Sequence, residues 1–100
     1  EIEITLATPL PADAMITKAI MSVTRQIPAG AEFTVEACNN GNDASPTWED
    51  VTQAVNSGSK FFFSNKTKTA ESWGFNFRIK VKRNGASGDC FISSVGGNFE

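Results

Sequence analysis

Three groups of residues in this 100-residue chain have the types and spacing to do chemistry at a surface. Trp48 is followed at once by Glu49 and Asp50. An indole in such a polar loop can stack on the apolar face of a sugar ring. The bland alternative is an edge plug whose N–H bonds to backbone, and it is preferred. Asn76, Arg78, Lys80 and Lys82 stand at alternate positions. Such a row can hold an anionic polymer by charge-assisted hydrogen bonds, or it can be a solvated face whose charge discourages sheet stacking. Asn39, Asn40, Asn42 and Asp43 form the third group. Their oxygens suit calcium, which takes about six to eight oxygen ligands and usually several carboxylates. One Asp among three Asn is poor in charge, so a turn is preferred and calcium is held only as a weak alternative. No cofactor is expected.

Histidine is absent, as is tyrosine. Triads that need an imidazole base are therefore excluded, and zinc and iron sites lose their usual nitrogen ligand. Two carboxylates could still cut a glycosidic bond. However, Glu49 and Asp50 are adjacent, and Glu1 and Glu3 fall on an expected edge strand; neither pair suggests a cleft. The expectation is a protein that is not an enzyme. A formal charge of −2 argues against sequence-independent nucleic-acid binding, which needs a basic surface. No apolar run approaches the roughly 20 residues that span a bilayer. Cys38 and Cys90 could close a disulfide, but two free thiols are preferred, because Cys38 falls out of register with the apolar face Phe33-Val35-Ala37.

These groups must be positioned by strands. In Trp73–Arg83, WGFNFRIKVKR, Trp73, Phe75, Phe77, Ile79 and Val81 alternate with Asn76, Arg78, Lys80 and Lys82. A period of two places the two sets on opposite faces of a half-buried strand, with the polar set exposed. Ile2, Ile4 and Leu6 form a shorter strand ended by Pro9 and Pro11. The run 16–27 reads as a strand that pairs as a hairpin with Phe33, Val35 and Ala37 across Pro28-Ala29-Gly30. TWEDVTQAV fits neither a helix nor a strand cleanly. Lys60–Ser64 carries three consecutive phenylalanines, of which either Phe62 or the pair Phe61 and Phe63 must face away from one core. Asn84-Gly85 is a turn, and Cys90–Val95 is the last strand. Strands at this spacing predict a single all-β domain, a two-sheet antiparallel β-sandwich. The expected core is Ile20, Val23, Phe33, Val35, Val51, Phe62, Trp73, Phe75, Phe77, Ile79, Val81, Ile92 and Val95.

The segments FTVEACNNGNDASPTWEDVT, FNFRIKV and CFISSVGGNFE, in that order, resemble a jelly-roll sandwich of the galactose-binding, discoidin-like kind. PTWEDVT, KTKTAESWGFNFRIKVKR and ISSVGGNFE are also similar to accessory modules of minor structural proteins in tails and baseplates of phages of Gram-positive bacteria. The resemblance implies a non-catalytic accessory domain, made in the bacterial cytoplasm and carried on a virion or at a cell surface. The start at Glu1 leads to the expectation of a module cut from a longer protein. Two partners are expected: host cell-surface glycan, held by Trp48, Asn76, Arg78, Lys80 and Lys82, or, in the alternative, neighbouring virion subunits or further copies of the chain in a purely structural assembly role. No nucleic acid and no membrane is expected as partner.

Overall fold

The alternation in Trp73–Lys82 becomes the longest strand of the fold, and most of one sheet is built on it. A computed structural model describes residues 2–100. In chain order its elements are β1 (Ile2–Thr5), β2 (Leu10–Ala12), β3 (Lys18–Gln26), β4 (Glu32–Cys38), β5 (Glu49–Asp50), α1 (Thr52–Ser57), β6 (Phe61–Phe62), β7 (Trp73–Lys82) and β8 (Phe91–Phe99). They form two antiparallel sheets, a five-stranded one in the order β1-β7-β4-β5 with β2 also on β7, and a three-stranded one in the order β6-β3-β8. The expected two-sheet β-sandwich is the fold found. Among the described residues no helix is long and apolar enough to cross a membrane.

Between the sheets lies one apolar core. Val35, Ala37, Phe75, Phe77 and Ile79 face Ala19, Met21, Val23, Phe61 and Phe63. Phe61, Phe63, Phe75 and Phe99 make a chain of ring contacts, edge-on at 5.6 and 6.3 Å and stacked at 5.1 Å. Offset and edge contacts of this kind add stability beyond the area they bury.

Several expectations need correcting. β3 and β4 do not form a hairpin: they lie in different sheets, so the chain crosses the sandwich at Pro28-Ala29-Gly30. Asn84 and Gly85 do turn the chain, with φ of 53° and 77°, but the turn leads from β7 across to β8, which pairs with β3. Phe62 is not a core residue but stands 70% exposed, while Phe61 and Phe63 point inward. On β3 the core face is Ala19, Met21 and Val23, which sets Ile20 on the other parity. Trp73 is only half-buried. Ile92 and Val95, three positions apart, both pack against the core because the register shifts between Thr24 and Arg25 and leaves Ser93 unpaired as a bulge. TWEDVTQAV divides, its Glu49-Asp50 joining β4 as β5 and its second half forming α1. Glu1 lies outside the described residues, so its pairing with Glu3 does too.

Candidate functional site

The expected site residues occupy the outer face of the five-stranded sheet. β7 places Asn76, Arg78, Lys80 and Lys82 there, opposite Cys38, Glu36, Thr34 and Glu32 of β4. β1 adds Glu3 beside Lys80, and β5 adds Asp50 beside Glu36. The three cations therefore meet four carboxylates on the same face. Opposite charges directly across strands attract, and their fields cancel at a distance. The row presents no net positive surface to a polymer.

Asn76 is not exposed but 8% accessible, which corrects its placement. Its Oδ1 accepts the backbone N–H groups of Phe77 at 2.8 Å and Leu6 at 3.1 Å, and its Nδ2 donates to the Leu6 carbonyl at 3.2 Å. β1 ends at Thr5, so the side chain satisfies the Leu6 backbone groups where the ladder stops. Asn76 holds the strand end and is spent on the fold.

Arg78 is likewise engaged rather than free. Its Nε and Nη2 donate to the two oxygens of Glu36 at 2.7 and 3.2 Å, a fork-to-fork pair. The guanidinium also lies 4.4 Å from the centroid of the Trp48 ring. The bond to Glu36 holds the Arg78 pKa above its ordinary value. One face of Trp48 is thus covered by a cation, and the indole is half-buried. Lys80, whose ammonium is 3.9 Å from Glu36, and Lys82 keep their ends accessible.

The Asn-rich loop is a clamp on the irregular segment 64–72. The carboxylate of Asp43 accepts the N–H groups of Ala70 at 2.9 Å and Thr69 at 3.0 Å, and Asn40 Nδ2 donates to it at 3.1 Å. Those backbone bonds, led by Ala70, hold the Asp43 pKa below its ordinary value. Asn42 donates to Ser72 Oγ at 3.2 Å. Asn39, fully buried, donates to the carbonyls of Ile16 and Asn65 and accepts from Asn65 Nδ2. Each calcium candidate, Asn39, Asn42 and Asp43, thus has protein partners. Among the described residues no three Asp, Glu, Cys or His side chains gather as a metal set.

Cys38 and Cys90 are free thiols, and Cys38, at the end of β4 opposite Asn76 of β7, is buried. Burial pushes the Cys38 thiol up to about 11.

What the sequence reading missed is a polar trough beginning at the Lys80 end of this face. A cleft of about 240 Å³ between Lys80, Lys82, Glu32, Thr34, Glu36 and Asp50 shares Glu32, Thr34 and Asp50 with a larger one of about 710 Å³. The larger cleft continues past Thr52 and Gln53 to Phe62. It exists because β5 pairs with only two residues of β4, leaving the start of β4 without a strand on the side away from β7. The run Phe61-Phe62-Phe63 contained the signal, since a strand can bury only alternate members of it.

No protein-family model matches the chain, and no curated protein and no solved structure matches it at a significant level.

Proposed function

We propose that the chain is a non-catalytic carbohydrate-binding module, an accessory domain that attaches a larger virion-tail or surface protein to cell-surface glycan. The observation that carries this reading is Phe62, 70% exposed at the end of a cleft lined by Glu32, Thr34, Asp50, Thr52 and Gln53. A flat apolar ring beside hydroxyl, amide and carboxylate groups is the combination a pyranose requires: its C–H face packs on the ring and its hydroxyls bond to the polar groups. Lys80 and Lys82 close the other end of the trough. Because carboxylates balance the cations on this face, stacking and hydroxyl bonding dominate, and the attraction depends little on salt. The similarity of PTWEDVT and the β7 run to phage tail modules supports the biological setting.

The test is sedimentation of the chain with purified Gram-positive cell walls. Burying a phenylalanine is worth about 1.5–3 kcal/mol, so Phe62→Ala should weaken binding at least about tenfold. Gln53→Ala should weaken it less, and raised salt should change it little. Circular dichroism should match the parent for both variants. Wall binding that ignores Phe62→Ala and Gln53→Ala, or no wall binding at all, would refute the reading.

A further inference from the structure

One side of the sandwich is open. β8 is an edge strand, and its nine residues contain no charge and no proline. Exposed edges of that length normally carry a lysine, a proline or a cover; here the only such device is the bulge at Ser93. Between β8 and the opposite edge, β1 and β2, runs an apolar groove of about 640 Å³. Ile4, Leu6, Leu10, Phe75, Val95 and Phe99 line it, none of its lining residues is charged, and Leu10 is 44% exposed at its rim.

We propose that this open side is where two copies of the chain meet, β8 of one pairing antiparallel with β8 of the other across a two-fold axis. The two three-stranded sheets then run on as one, and each groove closes against its counterpart. Three observations favour a second copy as the occupant. The free backbone N–H and C=O groups of β8 need a strand as partner, and an identical uncharged strand supplies one. A two-fold contact sets a patch against itself, so a charged patch repels its own copy. The groove carries no charge, so nothing along it repels its own copy. The area also suffices. Nine residues at about 3.3 Å each make an edge about 30 Å long, and the shortest extent of the molecule is 20 Å. A footprint of that length and breadth is up to about 600 Å² per copy, or about 1,200 Å² in total, which reaches the lower end for a specific interface.

The experiment is sedimentation velocity of the purified chain from low micromolar to near-millimolar concentration, with a reductant present so that Cys90 cannot crosslink. A reversible dimer is expected. Gly96→Lys places a cation on the edge where an added Cβ meets open space, and Leu10→Lys places one at the groove rim. Each should raise the dimer dissociation constant about tenfold or more, with circular dichroism unchanged. If Gly96→Lys disturbs the fold, Leu10→Lys carries the test. A chain that stays monomeric throughout, or a dimer that ignores the substitutions, overturns the proposal. Phe62 is absent from the groove lining, so wall binding by the monomer neither supports nor weakens this contact.

Discussion

Replacing Asn39 by alanine should cost more stability than its small polar side chain suggests. The side chain is 0% exposed and makes three hydrogen bonds: it donates to the Ile16 carbonyl at 3.0 Å and the Asn65 carbonyl at 2.8 Å, and accepts from Asn65 Nδ2 at 2.9 Å. At about 1 kcal/mol for each bond the loss is about 3 kcal/mol, and the buried Ile16 carbonyl left without this donor adds to it. A total of about 3–4 kcal/mol is a large share of the roughly 5–15 kcal/mol typical of a single domain. Urea unfolding measures it as a lower midpoint with unchanged slope. Asn65→Ala alone and combined with Asn39→Ala completes a cycle, in which a coupling of about 1–2 kcal/mol is expected. Asn42→Ala, at an exposed position of the same loop, is the control and should cost less than about 1 kcal/mol. A loss below about 1 kcal/mol for Asn39→Ala, or full additivity with Asn65→Ala, would refute the clamp.

Strand parity predicts that Ile79→Ala, at a fully buried position, costs about 2–5 kcal/mol, whereas Lys80→Ala stays within about 0.5 kcal/mol in the same urea assay. Asp43 has a folded pKa below its unfolded value, so its contribution is complete above the ordinary carboxylate range and is lost as pH falls through the folded value. Protection of the Thr69 and Ala70 amides, taken as exchange relative to the intrinsic rate at each pH, should therefore fall on acidification ahead of that of the core strands, and Asp43→Asn should show the lower protection already at neutral pH. Cys38, buried and with its thiol pushed up to about 11, should resist alkylation in the native protein at mildly alkaline pH, while Cys90 reacts; denaturant should make both react.

The sandwich was legible because β7 states its parity without ambiguity: five large apolar residues alternate with polar ones, and Phe75, Phe77, Ile79 and Val81 are all buried. Strand partnership was not legible. A tight turn such as Asn84-Gly85 reports that the chain reverses but not which sheet receives the next strand. Ile20 reads as core because both parities of β3 carry apolar residues there; Ser22 and Thr24, on its parity and opposite to Met21 and Val23, mark that set as the outer face. Asn76 looked like a surface residue because its role depends on where β1 stops, a fact held about seventy positions away. Arg78 and Trp48 each stand out in the sequence, but only the packed chain reveals that they face one another. The phenylalanine run marks one end of the trough, but its course follows from how little of β4 is covered by β5, which no local pattern announces.

The position of β7 in the chain has a consequence for synthesis. β1, β2 and β4 all pair with it, and Ile2 meets Val81 across 81 − 2 = 79 positions. Until residues 73–82 leave the ribosome, the five-stranded sheet can make only the short β4–β5 pairing. From the end of β4 to the start of β7 is 73 − 38 = 35 positions, which at about 5–20 residues per second takes roughly 2–7 seconds. During that interval the apolar faces of Ile4, Val35 and Ala37 lack their sheet partner. Sandwiches dominated by such distant pairings fold in about milliseconds to seconds once complete. The strand order thus delays closure of the five-stranded sheet until β7 emerges, whichever other pairings have formed before it.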